Sequence, residues 1–443
     1  MAIGKLPADV TVWLEQFGTL LDARLRHRWP KLLSGVLFAR GRRTVTSWLR
    51  SAGLGVGFQD YYYFLGSLGR RTTALATALL CLAVRVIAPG DRVLLAIDDT
   101  PTKRYGPKVQ GAGIHHNPTP GPADQKFVYG HVWVMMSWVV RHARWGTLGL
   151  PLRAFLYIRQ KDLAKLPTKT KKVVRFRTKT AMAGELITWA AKTLAWVGKS
   201  LWVVVDGAYV KEPVLSAARK VNAVVIGRLR RDAKLFDQPK PPRRRGRGRP
   251  RKYGERISLA KRGAHRHGWQ TETFTLYGRM VRKTYKTFIA LYPPAGGAIR
   301  VVIVREEHGW VAFMATDPTL SVVQILEAVA DRAAIEQNFH DLKEVYGAGQ
   351  QQLRNYWANV AAFHLNLWLL TLVELWAWTR THKQLCDRHA SPWDDATRRP
   401  SHADRRNALR RLTLDNDFRH ATADQPLSRK CRTLVAAMFK LAM

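Results

Sequence analysis

The sequence predicts an α/β protein: a mixed sheet with helical regions at both ends and a β-rich insertion. Three observations carry that prediction. From residue 89 to about 230, apolar strand-like runs alternate with helical patterns, the order expected of a mixed α/β sheet. From about 230 to 316, short alternating runs (TETFTL, TFIALY, IRVVIV) take over, as β-strands do. Before residue 88 and again from Leu320 to about Arg380, apolar residues recur at helical spacing.

Taken in order, residues 1–88 form a helical region ending in the run TTALATALLCLAVRVI and closed by Pro89-Gly90. A strand over Arg92–Ile97 follows and ends in Asp98-Asp99-Thr100; a Gly/Pro/His-rich loop then runs to about Asp124. Residues 128–140 and 153–158 read as strands, Ala181 to about Val197 as a helix, and LWVVV before Asp206 as a clear strand. Leu215–Lys220 reads as helix and Asn222–Arg228 as strand. The division this suggests is a helical N-terminal region (1–88), a first core segment (89–208), a β-rich insertion with a basic tract (209–316), a final core segment (317–380) and a basic C-terminal region (381–443).

The chain has 443 residues, 73 Lys and Arg against 32 Asp and Glu, and a formal net charge of +41. Such an excess must meet a polyanion or repel itself; nucleic acid is the usual partner, because each neutralised phosphate releases a counterion. Three widely spaced cysteines argue against a disulfide framework and fit a reducing cytoplasm. The N-terminus lacks a basic-then-apolar signal pattern. The apolar run Val360–Trp378 is nearly long enough to span a bilayer, but it carries His364, Asn366 and Glu374 and reads as a buried core helix. No membrane partner is expected. Glycines 106–113 lack the Lys-Ser/Thr of a phosphate loop, so no nucleotide cofactor is expected either. His115-His116, and Cys386 with His382 and His389, lack four-ligand spacing and read as surface residues.

Phosphodiester cleavage needs an activated oxygen nucleophile and a stabilised leaving oxygen. Two divalent ions roughly 3.5–4 Å apart serve both roles. Mg²⁺ prefers oxygen ligands and is held by a few carboxylates. Asp98/Asp99 and Asp206 each follow an apolar strand, where a lone charge at the core edge is costly without a purpose. Strand alternation lets only one of Asp98 and Asp99 face a shared site; Asp98, first after the apolar run, is the nearer candidate, and the choice stays open. In DRAAIEQNFHDLKEVYG, with Arg332 at 0°, Glu336 falls at about 40° and Lys343 at about 20°. The three share one helical stripe, which can present a metal ligand between two phosphate binders or simply be a solvated, ion-paired face.

At these residues the chain resembles the DDE transposases of bacterial insertion sequences. IDDT (97–100) resembles their first-aspartate motif, VVVDGAYVK (203–211) the second, and DRAAIEQNFHDLK (331–343) the glutamate motif. Arg332, Glu336 and Lys343 match the Arg-x₃-Glu-x₆-Lys part of one subgroup's signature; Val329 stands where that signature has tyrosine. The resemblance spans roughly 90–380. It implies an RNase H-like catalytic domain interrupted by β-strands, with Asp98 or Asp99, Asp206 and Glu336 as catalytic residues binding two Mg²⁺ ions, for which Mn²⁺ can substitute. It further implies Arg332 and Lys343 on DNA phosphates, DNA-end recognition in the helical N-terminal region, and cut-and-paste transposition. A homodimer on DNA and action on the bacterial nucleoid in the cytoplasm follow.

Further DNA contacts are expected from Arg247-Gly248-Arg249-Pro250-Arg251-Lys252, an Arg-Gly-Arg-Pro core of the kind that enters narrow minor grooves. Trp310 and Trp269 are candidates to stack on an unpaired base, or else pack in the insertion. Three rival functions stand beside the transposase: a metal-dependent nuclease that cuts without joining, a non-catalytic DNA-binding descendant, and a basic RNA-binding protein.

Overall fold

The computed structural model describes residues 6–116, 125–239, 251–386, 388, 393–395 and 397–421, with isolated positions beyond. Five helices come first: α1 (Ala8–Gly18), α2 (Arg28–Phe38), α3 (Val45–Ser51), α4 (Phe58–Leu68) and α5 (Thr72–Ile87). Then follow β1 (Arg92–Lys103), β2 (Gly113–His116), β3 (Phe127–His142) and β4 (Gly146–Tyr157). Two single turns, α6 (Gln160–Leu163) and α7 (Thr168–Lys171), lead to α8 (Lys179–Leu194), β5 (Ser200–Val205), α9 (Glu212–Lys220) and β6 (Val224–Leu229). Next are β7 (Leu235–Phe236), β8 (Arg256–Ile257), α10 (Leu259–Ala264), β9 (Gln270–Leu276), β10 (Arg279–Tyr292), β11 (Gly297–Glu306) and β12 (Gly309–Ala315). The chain closes with α11 (Val322–Asp331), α12 (Ala333–Glu344), α13 (Tyr356–Ala377), α14 (His382–Leu385) and α15 (His402–Ala421).

One mixed sheet runs through the molecule in the order β2-β3-β1-β5-β6-β12-β11-β10-β7-β8, with β4 on β3 and β9 on β10. Its heart has the RNase H-like arrangement: β1, β3 and β4 pair antiparallel, while β1–β5 and β5–β6 pair parallel. Helix α8 supplies one parallel crossover and α9 the next. The parallel strands are buried on both faces and read as the continuous apolar runs VLLAI and LWVVV.

Two details differ from expectation in an informative way. β1 does not stop before Asp98; it continues to Lys103, because Asp98 to Lys103 pair residue by residue with Met135 to Gly130 of β3. And α9 and β6 extend the parallel part of the sheet, so the sheet pattern changes character after Leu229, where antiparallel β12 takes over, rather than at residue 209.

Helix α13 has the length and apolarity of a membrane span, yet every residue of its apolar stretch is buried inside the protein. The helical N-terminus (α2, α4, α5), β4 and α15 all pack on it. The basic C-terminal region is less solvated than its composition suggests: in α15, Arg405, Arg406 and Arg410 are buried.

Candidate active site

The last parallel pair between β1 and β5 is Ile97 with Val205. Asp98 and Asp206 are each the next residue, so two carboxylates lie where the parallel pairing ends; β5 stops there, while β1 runs on against β3. Their charges interact: Asp206 and Asp99 both disfavour ionisation of Asp98. Asp206 then enters a tight turn in which the Tyr209 N–H donates to its carbonyl (2.9 Å).

Strand alternation separates Asp98 from Asp99. Asp98 faces α12, where its Oδ2 accepts from Arg332 Nη1 at 2.7 Å. Asp99 turns toward α8: its Oδ2 accepts from Lys179 Nζ (2.7 Å) and its Oδ1 from the Tyr209 hydroxyl (2.6 Å). Asp99 thus ties β1 to the start of α8 and to the turn after Asp206. Lys179 and the role of Tyr209 escaped the sequence reading, although Tyr209 is the aromatic of the second motif.

Helix α12 is pinned in register on the sheet. Asn338 donates to the Gly149 carbonyl (2.9 Å) and accepts from Ser137 Oγ (3.0 Å). A Cβ on Gly149 would lie 2.3 Å from Asn338 Oδ1, so only glycine lets the helix sit this close. Asp331, just before α12, accepts from Thr147 (2.7 Å) and Arg141 (3.0 Å). Arg332 falls at the junction of α11 and α12 but keeps helical φ and ψ, so the predicted i,i+4 stripe survives. Its Nη2 donates to Glu336 Oε1 at 2.7 Å. One guanidinium therefore joins Asp98 of β1 to Glu336 of α12, across more than two hundred residues of sequence. Glu336 is itself exposed, and Lys343 is half-buried in the last turn of the same helix.

Burial pushes the Asp98 carboxyl up to about 6; the Arg332 charge and the Asp99 backbone N–H pull the other way without cancelling it. The fold thus prefers protonated Asp98. Its cost to stability is absent below the ordinary value of 3.8 and grows as pH rises through 6. That gap corresponds to at most about 3 kcal/mol. Asp98→Asn is accordingly expected to stabilise the metal-free protein at pH 7.5 and to have little effect at pH 3.5–4. Urea unfolding in EDTA at both pH values checks this; equal effects at both would refute it.

Among the described residues, no group of three or more His, Cys, Asp or Glu side chains lies close enough to grip a metal ion as it stands; Arg332 stands between two of the candidate carboxylates. The donor set nonetheless fits Mg²⁺ in kind. It is all carboxylate oxygen, and a cationic group already sits on Asp98 and Glu336.

The other expected DNA contacts are scattered. Arg247 and Arg249 lie outside the described residues; Arg251 and Lys252 are exposed at the end of that tract. Trp310 is half-buried beneath the Arg231 guanidinium (5.2 Å), and Gly263 of α10 packs against its indole. Trp269 is covered by Lys286 (4.6 Å) and Arg305 (4.5 Å).

Residues 16–287 match the family model described as DDE superfamily endonuclease, more than half of the chain and inclusive of Asp98, Asp99 and Asp206. No curated protein matches the sequence.

Proposed function

Because the chain belongs to the DDE superfamily endonucleases, we propose that it is a DNA transposase that cleaves the ends of an insertion sequence and joins them to a target. The observation that most supports this reading is the Arg332 bridge between Asp98 and Glu336, with Asp206 beside Asp98. Two of these acids follow the last β1–β5 pair and the third is linked to Asp98 through Arg332, on a protein with net charge +41.

In this reading Asp98, Asp206 and Glu336 hold two Mg²⁺ ions, and Mn²⁺ can replace them. Bound there, the ions would activate the attacking oxygen and neutralise charge on the leaving one. The chain's own residues do the rest. Asp99, held by Lys179 and Tyr209, fixes β1 so that Asp98 keeps its aim. With ions bound, Arg332 would release its two carboxylates and take a DNA phosphate; Lys343 would take another, and both would hold the strand in line. Water would attack phosphorus and break its bond to O3′, freeing a 3′-hydroxyl and leaving a 5′-phosphate; that hydroxyl would then attack phosphorus in the target strand and expel the target's own 3′-oxygen as a hydroxyl.

The proposed division of labour assigns DNA-end recognition to the helical N-terminal region, and auxiliary DNA contact to the insertion through Arg247, Arg249, Arg251, Lys252 and Trp310. The pairing of β6 with β5 argues for starting the insertion after Leu229. A homodimer, acting on nucleoid DNA in the bacterial cytoplasm, would hold both ends.

Purified protein incubated with DNA bearing the inverted repeats that flank its gene is expected to give, with Mg²⁺, nicked ends and then joined products. Nicks without joining would reduce the reading to an endonuclease. No Mg²⁺-dependent product at all would defeat it.

A further inference from the structure

A second site lies at the edge of the sheet, where β4 meets the turn between α4 and α5, the segment before α8 and the first turn of α13. It is a cavity of about 340 Å³ lined by Arg70, Arg153, Arg175, Arg177, Phe155 and Trp357, among others, with no acidic side chain among the described residues of its wall. The turn at Gly69 is drawn tightly onto α13, since a Cβ there would fall 2.0 Å from the Trp357 carbonyl oxygen.

The arginines converge from three separate segments, and they are not spent on neighbouring acids. Among the described residues, only Arg177 of the four has a carboxylate partner, Glu185 at 2.6 Å. Arg153 is half-buried in mid-strand; among the described residues its Nη2 donates to Thr73 Oγ1 (2.7 Å) and it forms no ion pair. Burial lowers its pKa to about 10, a cost an anion would relieve. The exposed Arg70 donates to the Gly66 carbonyl, and Arg175 has no hydrogen bond or ion pair among the described residues. Phe155 lies between Arg153 (4.8 Å) and Arg177 (4.4 Å), and Arg70 stands over Trp357 (5.7 Å). Guanidinium stacked on an aromatic face keeps its N–H edge available to a phosphate.

The register relates this cavity, at the outer edge of the sheet, to Asp98 and Asp99 of β1. Phe155 pairs with Val134, which pairs with Asp99; Ala154 pairs with Met135, which pairs with Asp98. Arg153 and Phe155 thus share the sheet face of Asp99, toward α8, whereas Asp98 meets Arg332 on the other face; the backbones of β4 and β1 lie two strand spacings apart, about 10 Å. A duplex is too wide for a concavity of this volume, which lies at the small end of ligand pockets.

We infer that this cavity binds one unpaired nucleotide of the bound DNA, with its phosphate on the arginines and its base or sugar against Trp357. The inference rests on the reading of DNA as substrate.

Its test uses the full chain in EDTA, with anisotropy of labelled duplexes that are blunt or carry a three-nucleotide single-stranded end. Arg70→Gln/Arg175→Gln changes two exposed residues; Arg153→Lys keeps the charge but loses the fork. Wild type is expected to prefer the single-stranded end. Each variant should lose about tenfold in affinity for that end and under about twofold for blunt duplex. A dinucleotide should compete for the end better than inorganic phosphate. Equal losses on both DNAs would reduce the site to general basic surface and overturn the inference, as would inorganic phosphate competing as well as the dinucleotide. Both outcomes leave the DNA-enzyme reading intact. Wild type that binds neither DNA would overturn both.

Discussion

Glu374→Ala is expected to destabilise the protein by about 3–5 kcal/mol. Glu374 is the lone acid inside the buried α13, and it is the anchor of α15. Its Oε1 accepts from His402 Nδ1 (2.5 Å) and Arg405 Nη2 (2.8 Å), while its Oε2 lies 2.7 Å from Arg405 Nε. His402 in turn meets the Tyr346 hydroxyl (2.9 Å). Burial alone would raise the Glu374 carboxyl; the Arg405 charge and the His402 hydrogen bond outweigh it and hold the group below its usual range. Removing the acid strands a fully buried guanidinium and imidazole, and that penalty, rather than the worth of the ion pair, sets the magnitude. The double change Glu374→Leu/Arg405→Met should therefore cost much less than Glu374→Ala. Urea unfolding of the three proteins measures this. A single-variant loss under about 1 kcal/mol would mean that α15 is held by other contacts.

Much of the candidate site's local geometry was legible in the sequence because its signals are local. LWVVV before Asp206 is apolar enough to announce a buried strand, and the Arg332–Glu336 pair follows from helical spacing alone. What was hidden depends on partners distant in sequence. The polar stretch DDTPTK contains a proline and looks like loop; only pairing with β3 keeps it extended through Lys103. Which aspartate of the pair faces the glutamate helix was open for the same reason. The structure separates them through contacts no spacing reveals, Arg332 for Asp98 and Lys179 with Tyr209 for Asp99. The C-terminal arginines misled by composition. Arg406 is buried because its guanidinium caps the Leu37 and Ala39 carbonyls at the end of α2, and Arg405 because Glu374 waits for it. The Arg70–Arg153–Arg175–Arg177 cavity was equally invisible, since its walls are separated by up to about three hundred residues.

The Arg332 bridge also explains why an acidic site can be stable before any ion arrives. The guanidinium offsets part of the charge that burial and the neighbouring aspartates penalise at Asp98. A divalent ion carries more charge than the guanidinium and accepts carboxylate oxygen from several directions. In the proposed reading the guanidinium displaced by the ions would take a DNA phosphate as its new anion. Cleavage would then be confined to the DNA-bound protein.

Glu336→Gln tests the central claim most directly. The residue is exposed, with its side chain 59% accessible, and glutamine can still accept from Arg332, so the fold should be untouched. What is lost is the negative oxygen. With end-bearing DNA bound, Mn²⁺ counted by electron paramagnetic resonance should fall from two ions per chain to one or none, and Mg²⁺-dependent nicking should fall about a thousandfold or more, the roughly 4 kcal/mol that metal stabilisation supplies. DNA affinity should stay within about twofold of wild type. Two bound ions and wild-type nicking in the Glu336→Gln protein would contradict the account.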